Sequence, residues 1–236
     1  MSVSIYLQWD VPTKVASHYP PASGENASSH PRMSGEDRRR QLLDIAIELF
    51  SARGFSGTTT REIAVAAGVT EAIIFRHFAT KQDLYAAILD HATAASGMDK
   101  WLAEVQACID TDDDRGLFRL IVARILEIHR TEPRFERLML HASLEGHELA
   151  VMHRNQIMAS SGVRVHEYID RRQRAGALRE CDPRTIIFAV VGMAQYFGMQ
   201  KYMYQRPEPL QSDEEITDAF ASILMNGVCN KKRSKS

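Results

Sequence analysis

The sequence predicts an all-α fold of about nine helices, with a compact three-helix helix-turn-helix unit ahead of a larger helical body. Three observations lead there. Apolar residues recur at three- and four-residue spacing along most of the chain. Thr or Pro start signals and Gly stop signals bracket those stretches. No alternating stretch of comparable length competes as a strand, and no internal repeat is visible.

The elements follow in order. Residues 1–35, ending HYPPASGENASSHPRMSG, collect Pro, Ser, Gly and Asn without periodicity and are expected to be disordered. Met33 stands just before the first periodic segment and is a second candidate start, which intact mass of the native protein decides. DRRRQLLDIAIELFSARG sets Leu42, Ile45, Ala46, Leu49 and Phe50 on one helical face and ends at Gly54. TREIAVAAG opens on a capping box, Thr59 three residues before Glu62, and stops at Gly68. TEAIIFRHF follows after the short AGVT turn with Thr70 as its cap, so the two helices pack steeply across Ile63, Ala64, Val69, Ile74 and Phe78. Thr80 and Asp83 open a fourth helix, KQDLYAAILDHATAA. Five more helical stretches follow, GLFRLIVARILEIHR, EPRFERLMLHASLE, HELAVMHRNQIMASSGVRVHEYIDRRQRAG, PRTIIFAVVGMAQYFGMQKYMY and DEEITDAFASILMNGV, with Pro133 and Pro183 at first-turn positions.

Composition bounds the partners. With 236 residues the chain can build a core without metal or disulfide staples. Its 29 basic and 30 acidic residues nearly cancel, so any nucleic-acid contact must come from a local patch. Cys108, Cys181 and Cys229 are odd in number and widely spaced, which argues against a disulfide framework or a zinc site. No secretory signal or bilayer-length apolar run is present, so a cytoplasmic protein with no membrane partner is expected. No P-loop, GxSxG elbow or GxGxxG after a strand appears, so neither catalysis nor a cofactor is expected.

The segment TEAIIFRHF carries the chemistry. A helix that buries Ile74 and Phe78 leaves Ile73, Phe75, Arg76 and His77 largely outside, an odd set for plain solvent. In a helix-turn-helix the second helix enters the major groove of double-stranded DNA, its first turn reaching base edges while flanking side chains grip phosphates. Thr70, Glu71, Ala72 and Ile73 form that first turn. Ala72 permits close approach, Ile73 is placed to meet a thymine methyl, and Glu71 is placed to accept from a cytosine amino group. Thr59 and Arg61 open the preceding helix, with Arg61 aimed at a guanine or a phosphate; Arg76, His77 and Lys81 suit phosphates. Arg38, Arg39 and Arg40 add positive charge beside the first helix. The competing reading is a helical hairpin that only packs; the caps, Lys81 and the flanking helices together weigh against it.

These residues resemble a known family. AIELFSARGFSGTTTREIAVAAGVTEAIIFRHFATKQDLYAAIL, within residues 36–90, is similar to the DNA-binding domain of TetR/AcrR-type transcriptional regulators. The likeness rests on Phe50, Gly54-Phe55, Thr58-Thr59, Arg61 to Ala64, Ala67 to Val69, Phe75, Phe78 and Lys81. It implies a homodimer whose paired recognition helices read a palindromic operator, repressing until a small-molecule effector binds the C-terminal helices. Two departures stand out. Ala72-Ile73 stands where the family often has a glycine or proline followed by a small hydroxyl residue, so no base preference carries over. Phe75 replaces a common tyrosine and removes one phosphate-directed hydroxyl.

The resemblance implies a domain at 36–82 for DNA, a body at 83–230 for ligand and dimerisation, and a basic flexible tail at 231–236. The nearly all-round apolar helix with Gly192 and Gly198, and the stripe Phe220, Ile223 and Leu224, are expected to pair across a twofold axis as a four-helix bundle. Burial within one subunit is the alternative. Phe135, Leu138, Met139, Met152, Met158, Met193 and Tyr196 are candidates for an adaptable pocket taking a large, mainly apolar ligand. His141 and Glu145 share a face, yet the paired Glu-x-x-His pattern of a carboxylate-bridged metal centre is absent, so no metal is expected. The rival functions are a helical metal- or ligand-binding enzyme and a protein-binding adaptor, each keeping a vestigial DNA domain.

Overall fold

The computed structural model describes residues 33–94, 97–204 and 210–228, and every regular element among them is helical. The unstructured leader and basic tail expected from the sequence lie outside the described residues, apart from Met33 to Gly35. The helices are α1 (Gly35–Arg53), α2 (Thr60–Ala66), α3 (Glu71–His77), α4 (Lys81–Ala94), α5 (Met98–Asp110), α6 (Asp114–Thr131), α7 (Pro133–Leu144), α8 (Glu148–Ile157), α9 (Val163–Arg174), α10 (Pro183–Gly198) and α11 (Asp213–Val228). A π turn, Met158–Gly162, joins α8 to α9 with helical backbone on both sides, so the two run on as one rod and the described residues hold ten continuous helices. A second π turn, Met199–Met203, extends α10. The element that sequence periodicity did not supply is α5. Its inward face is thin, with Val105 buried and Trp101, Cys108 and Ile109 only half-buried.

Local chemistry sets the boundaries. The Ser34 hydroxyl accepts from the Asp37 N–H at the start of α1, and Asp113 and Asp182 cap α6 and α10 in the same way. Thr59 and Glu62 form the reciprocal capping box at α2, and Thr80 and Asp83 make the equivalent pair before α4. Gly54 ends α1 at φ 71°, and a side chain there would also collide with the Glu145 carboxylate, so both backbone and space call for glycine.

Two apolar cores result. The first joins α1 to α4 with α7 and the start of α8, through Leu42, Phe50, Ile63, Ile74, Phe78 and Ile88 on one side and Phe135, Leu138 and Leu149 on the other. The second is built by α5, α6, α9, α10 and α11 around Phe118, Val122, Leu126, Tyr168, Val190 and Leu224. At its edge the Arg172 guanidinium meets both Asp114 oxygens, at 2.9 and 2.8 Å, while the Tyr168 hydroxyl donates to Asp114 at 2.6 Å. That carboxylate and burial together raise the Tyr168 phenol, leaving it a fixed donor.

Candidate nucleic-acid interface

The α2–α3 turn fixes how α3 is presented. Gly68, at φ 66°, returns its N–H to Val65, and the Val69 N–H reaches Ala64 at 3.0 Å, closing α2 in two bonds. From there α3 sinks Ile74 and the following Phe78 into the first core, which pins the helix by one face. Ala72, Phe75 and Arg76 are exposed on the opposite side, Phe75 to 45%, and Ile73 is half-buried between the faces. Thr70 is exposed at the start of α3, with no side-chain bond closing the cap.

Other predicted residues have partners within the fold. Glu71 is half-buried and accepts a hydrogen bond from the Thr60 hydroxyl, which ties the first turn of α3 to that of α2. The Thr59 hydroxyl is engaged in the capping box. Arg61 is exposed in the first turn of α2. Lys81 is exposed at the first residue of α4, where a cation opposes the helix dipole and adds to the positive field.

His77 and Arg39 act as a pair. The Arg39 guanidinium donates to the His77 carbonyl at 2.9 Å and lies over the Phe78 ring, 4.4 Å from its centroid, so α1 clasps the C-terminal end of α3. Burial, with Arg76, Arg39 and Arg38 nearby, lowers the His77 pKa, so at neutral pH this ring is a neutral hydrogen-bonding group and not a cation. Sequence reasoning placed Arg39 only in a charge run; its clasp depends on a partner 38 residues away.

A second junction holds this head against the body. At the α7–α8 corner, Glu145 accepts from the Phe55 N–H at 3.2 Å, the Ser56 N–H at 3.0 Å and the Ser56 hydroxyl at 2.8 Å. Those bonds, chiefly Ser56, lower its pKa. The adjoining His147 ring stacks on Phe55 at 3.8 Å and meets Tyr85 edge-on at 4.7 Å, while Phe50 stacks on Phe55 at 4.5 Å. The sequence had raised Glu145 only as a metal-site candidate; its place here is structural. Among the described residues no three His, Cys, Asp or Glu side chains gather as metal ligands.

The pocket candidates divide between the two cores and the surface. Phe135, Leu138, Met139 and Met152 belong to the head-side core, Met193 packs on the second core, and Met158 and Tyr196 are exposed. The dimer candidates also divide. Gly198 is buried against His129 and Leu224 faces the second core, with Phe220 packed against it. Gly192 and Ile223 look outward, joined by Phe188 and Tyr196 one turn either side of Gly192; Phe188 is 73%, Tyr196 66% and Ile223 58% exposed. No helix among the described residues is long and apolar enough to cross a membrane.

Comparison with known proteins gives this geometry a context. Residues 42–88 match the family model described as bacterial regulatory proteins, tetR family, and residues 121–223 match the tetracyclin repressor-like C-terminal domain. The chain is 29% identical over 198 residues to the HTH-type transcriptional regulator AcrR of Shigella flexneri, covering 82% of this chain and 90% of that one. The structure of AibR in complex with isovaleryl coenzyme A and operator DNA superposes with a TM-score of 0.54 at 23% identity, over 80% of this chain and 98% of that one. That of NalD, the secondary repressor of the MexAB-OprM efflux pump in Pseudomonas aeruginosa, gives 0.63 at 19% identity, over 86% of this chain and all of that one.

Proposed function

Because the chain belongs to the TetR family and is a DNA-binding transcriptional regulator and not an enzyme, we propose that it is a homodimeric repressor whose two copies of α3 read a palindromic operator until a small molecule releases them. The observation that carries this reading is the presentation of α3. A seven-residue helix held by Ile74 and Phe78, capped to α2 through Glu71 and clasped by Arg39, turns Ala72, Phe75 and Arg76 outward as a rigid edge.

In this reading Ala72 and Ile73 meet bases, and Thr59, Arg61, Thr70, Phe75, Arg76, His77 and Lys81 meet the backbone or adjoining edges. Glu71 keeps its bond to Thr60 and stiffens the first turn. The head, 36–82, binds DNA in the cytoplasm; the body, 83–230, senses the effector and dimerises. The exposed apolar face of Phe188, Gly192, Tyr196 and Ile223 on α10 and α11 is the surface that a second copy covers, because an uncovered patch of large apolar side chains is costly in water. NalD's description as a repressor supports repression by analogy, and AibR's as a complex with isovaleryl coenzyme A and operator DNA supports a regulator that takes both a small molecule and DNA.

Selection of the full chain against a randomised DNA library at about physiological salt tests the reading, salt being fixed because phosphate contacts make affinity depend on it. An inverted repeat with half-sites about one helical turn apart is expected. Enrichment of a single half-site, or of no motif by folded protein, refutes dimeric recognition. Placing the selected operator over a promoter then separates repression from activation.

A further inference from the structure

A cleft of about 380 Å³ opens between α5, α6 and α11, on the second core and away from the head. Trp101, Leu120 and Ala123 give it an apolar wall, and Arg124 and Thr217 lie at its inner side. Arg124 is only 8% exposed, and of its three guanidinium nitrogens one, Nη1, has a partner, Glu127 at 3.0 Å. Nε and Nη2 are buried with no hydrogen-bond partner among the described residues. A buried guanidinium with two donors unmade is costly, and such a group in a native fold calls for a missing acceptor.

The shape of the gap selects the acceptor. Nε and Nη2 share one edge of the planar guanidinium, the edge whose two parallel N–H bonds match the two oxygens of a carboxylate. The neighbouring acids already have partners. Asp213 is held by Lys201 and the Tyr202 hydroxyl, Glu104 by Lys100 and Glu127 by Arg124 itself, while Arg119 is paired with Asp218. Glu214 is exposed at the rim. Arg130, on the same lining, is paired with Asp213 at 3.6 Å. With four carboxylates against three guanidiniums around the cleft, a monoanion drawn to the unpartnered Arg124 edge is repelled less than a dianion such as a phosphate monoester. We propose that this cleft is the effector site and that its ligand is a monocarboxylate with an apolar body, the carboxylate forked on Arg124 and the body against Trp101 and Leu120.

The inference rests on the reading of the body as effector-sensing, and the experiment separates the two. Sodium octanoate and its neutral counterpart octanamide are titrated calorimetrically into the full chain without DNA. Saturable octanoate binding at least tenfold tighter than octanamide is expected. Arg124→Met should abolish that preference, and Ala123→Phe, which fills the cleft from an exposed position without touching the guanidinium, should abolish binding of both. Unfolding curves check that each variant is folded. If Arg124→Met does not fold, Arg124→Lys, which keeps the charge and loses the fork, carries the test with a weakened preference. Equal binding of acid and amide, an unchanged preference in both Arg124 variants, or no saturable binding of octanoate overturns the site. Octanoate that binds with the expected preference yet leaves operator affinity unchanged supports the site and removes the release step instead.

Discussion

Gly192 and Gly198 lie six residues apart on α10, and substitution by alanine should move stability in opposite directions. A Cβ on Gly198 falls 2.7 Å from Cγ and 2.9 Å from Nε2 of His129, and closer still to Cδ2. Unstrained carbon contacts lie at about 3.5–4.0 Å, so the ring must retreat by about 1 Å. It has nowhere to go: His129 is buried, its Nε2 is bonded to the Gln195 side chain, and Glu136 lies 3.8 Å away. Overpacking of this kind costs about 1–3 kcal/mol. Better helix propensity returns about 0.5–1 kcal/mol, for a net loss near ~1 kcal/mol. In a chain of this size that lowers the melting temperature by about 2–4 °C. A Cβ on Gly192 meets nothing within 4 Å in its own chain, so where a second copy covers this face through Phe188, Tyr196 and Ile223 and leaves room for a methyl at Gly192, Gly192→Ala keeps only the propensity gain and melts higher. Both are read by circular dichroism at matched protein concentration, since the proposed dimer would make the midpoint concentration-dependent, with sedimentation alongside. Gly198→Ala melting at or above the parent while the dimer weakens would return Gly198 to the subunit interface expected from sequence and refute the packing argument. A fall for Gly192→Ala would mean that a second copy already fills the space beside it.

Lys81→Ala should weaken specific and non-specific DNA alike and reduce the salt slope of binding by about 1; an unchanged slope removes its phosphate contact. Phe188→Glu puts a charge on the exposed face of α10 and should shift sedimentation from dimer toward monomer without unfolding the chain; an unshifted boundary places the dimer contact elsewhere. Burial holds His153 below its ordinary 6.5, so the unfolded chain takes up a proton first as pH falls below that value, and stability present above it is lost. The parent should therefore lose melting temperature faster than His153→Gln between about pH 6.5 and 5, and parallel profiles would show that the ring is not desolvated.

The head was legible because its signals are local. Thr59 and Glu62, Thr80 and Asp83, and the glycines at 54 and 68 act across a few residues, and the structure uses each one where the spacing put it. Periodicity says which face of a helix turns inward but not which neighbour it meets, and the remaining differences arise there. Phe135, Leu138 and Met139, put forward as pocket residues, form an inward face that meets α1 across nearly ninety residues of sequence, as the Arg134–Glu48 contact at 3.2 Å also shows. Arg124 carried no signal, since a single arginine on an amphipathic helix looks like solvated surface until α5 and α11 close over it. The helix α5 escaped for the related reason that most of its apolar face is only half-covered.

The division of the cores also bears on how a signal travels. The unit that can move against DNA is not the head alone, because α7 and the start of α8 share its core and Glu145 fastens the corner between them to the loop after α1. The cleft at Arg124 lies on the other core, and the chain crosses from one to the other at Glu132-Pro133, where α6 ends and α7 begins without an intervening loop. Arg124 stands two turns before that crossing, and α6 also carries His129, the ring that packs on Gly198 of α10. A carboxylate drawn onto Arg124 would therefore act on α6, which packs on α10 and runs directly into α7. For such a ligand to release DNA it must bind more tightly to the arrangement in which the two heads no longer fit both half-sites, and only that difference in affinity counts. Loosening the crossing should then uncouple the two ends: Pro133→Gly leaves octanoate affinity intact while octanoate no longer lowers operator affinity. Full retention of release in that variant would show that the signal passes through α10 and the dimer interface instead.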